Sequence, residues 1–349
     1  MGWFLLHSVS VLLNFGLFAQ ETLDIDAASH RPDPAAYSSH LWLKFDNFLN
    51  DPDFLNQFVP SSLEAKFPEI SVLVPRMRLN ELLRSACHLK RLHFLTRGLK
   101  KAYEDIFYHL EFFIETMTPE ETSRLWGCIA GCGYIVPAAF LKRLDLHTVK
   151  SRRNFTDSLV VSTVQHLSAL PHGHAFDSFT QIFSAISDLP SHTDVHNYIF
   201  LKTYLTEVRG MSIEPSRNIR AALKRYKNTA RYLIKTSIAQ QEVIDFLQSF
   251  NPNFAGEVFY KDLDTHLDIA SIEEQVVVDL DGLHHYKEDI GSGECFRRHL
   301  DTLRDSVLLK RGWKVYRIRI DQWDWFKRDF SEKMTEQNTL DNFYRLYAI

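Results

Sequence analysis

The sequence predicts a mostly α-helical chain that closes with a small α/β domain. Three observations carry that prediction. Apolar residues recur at helical spacing from about residue 35 to residue 209. A one-sided basic amphipathic segment follows at 213–237. From residue 238 the periodicity changes, and the pattern reads helix, strand, strand, helix, strand.

With 349 residues and 45% hydrophobic content, the chain can bury a sizeable core and is long enough for more than one packed unit. The formal charge is −4, which excludes a global polycation, so any nucleic-acid surface must be a local basic face. The four cysteines (Cys87, Cys128, Cys132, Cys295) have irregular spacing and read as reduced, buried thiols instead of a disulfide scaffold. Cys128 and Cys132 lie one helical turn apart and could share a metal, but no second ligand pair is evident. Two small residues on one helix face is the better reading.

The elements follow in order. Residues 1–34 form an apolar arm and linker. Met1 to Gln20 carries no charge, lacks the positive start of a secretory signal and lacks the arginines of a mitochondrial presequence. His7, Ser8, Ser10 and Asn14 interrupt it as a membrane span. A signal-like segment, an anchor and a buried arm all stay open, the buried arm being preferred over membrane contact. Residues 35–212 read as a helical, repeat-like domain. Arg78 to Tyr108 carries Leu79, Leu82, Leu83, Ala86, Leu89 and Leu92 at helical spacing. Thr118 with Pro119, Glu120 and Glu121 predicts a helix start, and Gly131 and Gly133 its end. Ser158 to Leu170 and Phe176 to Leu189 read as a helical pair closed by Pro171 and Pro190. The segments LLRSACHLKRL, LWGCIAGCGYI, VVSTVQHLSAL and FTQIFSAISDL place small and apolar residues alike. A degenerate helical-repeat array and an irregular bundle both explain them.

Ser216 to Thr236 predicts one helix with Ser216 as its N-cap. Arg217, Arg220, Lys224, Lys227, Arg231 and Lys235 line one face. Ile219, Leu223, Tyr226, Ala230 and Leu233 or Ile234 line another. No acid occurs between Glu214 and Glu242. A stripe of one sign repels itself unless an anion lies against it, which points to a phosphate backbone. In the α/β domain, residues 238–330, the sequence predicts a helix at Ile238 to Phe250 and strands at His266 to Ala270 and Glu274 to Leu280. A turn at Asp281-Gly282, a helix from Phe296 to Lys310 ended by Gly312, and a last strand from Trp313 to Ile320 complete it. Residues 331–349 read as a helical tail.

The runs LDIASIEEQVVVDLDGLHHY and LDTLRDSVLLKRGWKVYRIRIDQW resemble the RAP domain. The resemblance rests on Asp279, Asp281, Gly282, His285, Tyr286, Arg304, Gly312, Trp313, Val315 and Trp323. Leu283 and His284 replace the family's usual Pro-Ser. It implies a PD-(D/E)xK endonuclease-like fold in a mitochondrial or other organellar protein that binds messenger or ribosomal RNA. Such a protein acts in RNA processing or stability, or as a ribosome or other ribonucleoprotein component, and commonly carries helical repeats upstream. It also implies RNA contacts at His285, Arg304 and Lys310 beside the basic stripe.

Nuclease chemistry in that fold uses two carboxylates on adjacent strands to hold Mg²⁺ and a Lys to position water. Asp268 and Asp279 match the acids. Asp281 stands where the Lys would be, so the expectation is no catalysis and no cofactor. A Mg²⁺-dependent endoribonuclease using Asp268, Asp279, Asp281 and His285, with Glu242 contributing, is the alternative. A membrane-complex assembly subunit that reuses the fold is the third reading. Arg304 or Lys310 is expected to neutralise the acids, and Trp313 and Trp323 are expected to be structural.

Overall fold

The computed structural model describes residues 67–320 and Trp323, apart from 93, 171–177, 185, 227–235, 283–284, 293–294 and 298. The apolar arm, the linker and the tail at 331–349 lie outside the described residues. Among the described residues no helix is long and apolar enough to cross a membrane.

The helical region contains α1 (Phe67–Leu73), α2 (Leu79–Leu89), α3 (Arg97–Leu110), α4 (Pro119–Cys132), α5 (Ala138–Ser151), α6 (Asp157–Ser168), α7 (Ser178–Phe183) and α8 (His192–Glu207). The continuous helical periodicity of Arg78 to Tyr108 is in fact two helices. A two-residue strand, β1 (Phe94–Leu95), separates them, and Thr96 restarts the helix by accepting from Leu99 N. Thr118 caps α4 in a capping box with Glu121, as its sequence predicts. Gly131 lies inside α4, and Gly133, at φ +69°, is the residue that ends it.

Helices α2, α4, α6 and α8 each pack on the next, while α1 packs on α3 and α5 on α7. In this stack a small residue lets two neighbouring helices approach closely. A Cβ on Gly127 of α4 would lie 2.8 Å from His166 Nε2 of α6. Burial, and then the charge of Lys90, push the His166 imidazole down to about 4, so it packs there neutral. One expectation fails in this stack. Cys87 of α2 and Cys128 of α4, Cα atoms 5.3 Å apart, form a disulfide, so they are not reduced thiols and Cys128 is not a shared ligand with Cys132. Irregular spacing hid a pairing that helix packing creates. Cys132 is a free buried thiol.

After α9 (Arg217–Arg225) and α10 (Ile238–Gln248) come β2 (Ala255–Tyr260), β3 (Thr265–Ser271), β4 (Val276–Asp281), β5 (Tyr286–Asp289), β6 (Cys295–Arg297), α11 (His299–Lys310) and β7 (Lys314–Arg319). The sequence order of helix, strand, strand, helix, strand misses β2, β5 and β6. The last helix begins at His299, because 295–297 form a strand. The side chains of Phe296 and Leu300 lie outside the described residues.

The main sheet has the order β2-β3-β4-β7, antiparallel except that β4 and β7 run parallel across α11. One face of it packs on α10 through Val243, Ile244, Leu247, Val276, Val278 and Ile318. The other face receives α11, through the buried Leu303, Val307 and Leu308. Val276, Val277 and Val278 are all buried because β4 is covered on both faces. Helix α11 also packs on α4, α6 and α8. β1 pairs parallel with β5, so the sheet region and the helices share backbone hydrogen bonds.

Candidate functional site

Two places gather the chemistry. The first is α9. Ser216 caps it by accepting from Ile219 N. Ile219 and Ala222 are buried, while Arg217, Arg220, Lys224 and Arg225 are exposed. The sequence expected one helix through Thr236, but the described helix stops at Arg225. Tyr226 follows in an extended conformation (ψ 97°). Its hydroxyl donates to Asp264 Oδ2 at 2.6 Å, which draws the ring off the helix path. Lys227, Arg231 and Lys235 lie outside the described residues.

The second place is the α11 face of the sheet. In β4, Val276 and Val278 face α10, so strand alternation turns Asp279 and Asp281 to the opposite face. The β3–β4 register, Ile269 opposite Val278 and Ala270 opposite Val277, continues to bring Asp268 opposite Asp279. The β4–β7 register places Arg317 beside Asp279. Together with Leu280, His285 and Arg304, these residues line a cavity of about 240 Å³.

The node is ion-paired. Arg317 reaches Asp279 at 3.0 Å, Asp281 at 2.6 Å and Asp305 at 2.8 Å, and Arg304 pairs with Asp279. Tyr286 donates to Asp281 Oδ2 at 2.7 Å. Burial alone would lower the Arg317 pKa, but Asp305, Asp279 and Asp281 outweigh it and hold the guanidinium charged. Asp268 is the exception. It accepts from Leu280 N at 3.3 Å. Burial, and then the charge of Asp279, push its carboxyl up to about 6, with Arg304 opposing. Asp279 Oδ1 is buried without a hydrogen-bond partner.

Of the residues expected at this site, Asp268, Asp279, Asp281, His285 and Arg304 converge. Lys310 does not join them. It is exposed at the far end of α11, two turns beyond Arg304. Glu242 lies on α10, across the sheet, and accepts from Trp323 Nε1 at 3.3 Å. Sequence reasoning missed Arg317 and Asp305. Arg317 was visible as one of the charged residues alternating along the last strand, and a charge facing inward there needs an acid partner.

Trp313 and Trp323 are each 4% exposed. Trp313 meets the Tyr260 ring edge-on, and Trp323 meets Phe246 edge-on. Both are buried, but Trp323 packs on the α10 side of the sheet with Val243, Ile244 and Leu247, whereas the sequence order suggests that both tryptophans pack the sheet against α11. In comparisons with known proteins, the chain matches no family model and no curated protein.

Proposed function

We infer that this chain is a non-catalytic RNA-binding protein, with a RAP-like, PD-(D/E)xK-type α/β region carried on stacked helices. The observation that carries this reading is the face of α9, where Arg217, Arg220, Lys224 and Arg225 are exposed together on a helix that contains no acid. Four cations on nine residues repel one another in water and are relieved by a phosphate backbone. The organellar setting, with a mitochondrial location and messenger or ribosomal RNA as partner, rests on the RAP resemblance.

The carboxylate cluster supports the non-catalytic half. Asp268 and Asp279 stand on adjacent strands, as the nuclease fold requires. The donor set does not fit Mg²⁺, however. Two guanidiniums engage Asp279, and Arg317 and Tyr286 engage Asp281. A Mg²⁺ site would need those oxygens for the ion and its waters.

The test is RNA affinity against salt for the purified protein. Replacing Arg217, Arg220 and Lys224 by Glu should flatten the slope of log K against log salt by about 2–3 units and weaken all sequences alike. An unchanged slope in a variant with normal helicity makes the face merely solvated. Cutting of the bound RNA in Mg²⁺ or Mn²⁺ that Asp268→Asn with Asp279→Asn abolishes overturns the non-catalytic half.

A further inference from the structure

We propose that Tyr226 and His192 form a base-stacking subsite for single-stranded RNA at the end of the cationic helix α9. The proposal rests on the RNA-binding reading and adds the kind of RNA and the residues that distinguish it.

The sequence pattern assigns Tyr226 to the buried side of a longer helix. The structure places it elsewhere. Tyr226 is half-buried, one residue past the exposed Lys224 and Arg225. Its ring lies 5.6 Å from that of His192, tilted by 45°, and His192 is exposed at the start of α8. Two π faces therefore stand beside the cations that would hold the phosphates.

The ring is fixed in advance. Asp264 Oδ2 accepts from the Tyr226 hydroxyl at 2.6 Å and lies 3.1 Å from His196 Nδ1, one helical turn along α8 from His192. The Asp264 side chain is only 8% exposed, so its negative charge is spent inward and does not face the phosphates. Asp264 adopts φ +52°, a conformation that Asp tolerates better than most residues, and its carboxylate meets both partners from that turn. Burial, followed by the hydrogen bond and charge of Asp264, raises the Tyr226 pKa, so the phenol stays neutral and donates. A ring immobilised before binding loses little entropy when a base stacks on it.

Stacking needs unpaired bases, whereas phosphate contacts serve single strands and duplexes alike. The full-length protein is therefore titrated with a labelled unstructured RNA oligonucleotide and with an RNA duplex of equal length. Tyr226→Leu should weaken the single strand about 5- to 100-fold, the equivalent of one lost stacked base, and leave the duplex unchanged. His192→Ala, at an exposed position, should reproduce part of the selective loss without touching the fold. Tyr226→Phe, which keeps the ring and loses its tether, should fall between wild type and Leu.

Equal weakening of both RNAs, or no change in either with His192→Ala and a normally melting Tyr226→Leu protein, overturns the subsite. In that second case a salt slope that still depends on Arg217, Arg220 and Lys224 leaves the RNA-binding reading standing. If the wild-type protein binds neither RNA, both readings fall together.

Discussion

Asp268 carries a poorly stabilised charge in the acidic node. Its cross-strand neighbour Asp279 holds two arginines, while Asp268 keeps one backbone donor and faces like charge. Its carboxyl is raised from the ordinary 3.8 to about 6. The folded state therefore holds this proton more tightly than the unfolded chain does. The stabilisation is fully present below the unfolded pKa and is lost as pH rises through about 6. At neutral pH the ionised Asp268 costs about 1–3 kcal/mol. Asp268→Asn keeps a side-chain acceptor for Leu280 N and removes the charge. We expect it to melt higher than wild type at pH 7.5, to show no gain at pH 4, and to flatten the pH dependence of stability between them. Melting curves across that range check this, and a variant that melts lower at every pH refutes it. Part of this node was legible in the sequence. Asp268, Asp279 and Arg304 each sit in a recognisable element, and strand alternation plus register brings them together. The triple commitment of Arg317 was not legible, because it depends on β7 lying parallel beside β4 with α11 folded over both.

Elements behave the same way: caps were readable, interruptions were not. Thr118, Ser216 and Gly312 mark helix ends through local chemistry that one stretch of sequence contains. The strand pairing at Phe94–Leu95 is invisible locally, because its partners Glu288 and Asp289 lie almost two hundred positions later, although Thr96 caps the following helix through local chemistry. Strand β2 was missed for a related reason. All but one of its positions are half-buried, so it shows no alternation, and Glu257 at φ +51° disturbs its pleat. Trp313 shows how such an edge is secured. Its ring sits edge-on at 5.1 Å from Tyr260, the last residue of β2, and thereby ties the junction of α11 and β7 to the sheet's far strand. Its Nε1 is buried with no hydrogen-bond partner. Two substitutions should consequently diverge. Trp313→Ala should cost about 3–5 kcal/mol by opening a cavity. Trp313→Phe should cost much less, since the lost volume is partly offset by removing an unsatisfied donor. Denaturant unfolding of both variants measures the difference. Equal losses would mean that the indole N–H is satisfied in solution and the offset does not exist.

On the scale of the whole molecule, the helical stack and the sheet region are fastened at two ends of α11 and β5. At one end, Arg311 makes a two-pronged ion pair with Glu207 of α8, both contacts at 2.8 Å, and bonds the Tyr260 hydroxyl at 3.2 Å. At the other, β1 pairs with β5, Ile290 N donates to Leu95 O at 2.9 Å, and Lys100 pairs with Asp289. Between these last contacts lies Lys287, only 2% exposed. Its ammonium donates to Cys132 O at 2.7 Å, at the carboxyl end of α4, and lies 5.8 Å from the centroid of the Tyr103 ring. The negative end of the α4 dipole and the ring face both favour a cation there. Gly133 leaves room for it, since a Cβ would come within 3.1 Å of Lys287 Cδ. A buried lysine on a strand is thus the cap of a helix some 150 residues earlier, and neither part completes its hydrogen bonds alone. Lys287→Met preserves the stem and removes the charge, which leaves the Cys132 carbonyl without this donor at a cost of about 1–3 kcal/mol. The loss should be global. Native-state hydrogen exchange should show the slowest amides of α4 and of β4 losing protection by the same increment, because both open only in complete unfolding. Loss confined to β1, β5 and the end of α4, with the β4 amides unchanged, would show instead that the fastening opens locally and that helices and sheet unfold as separate units.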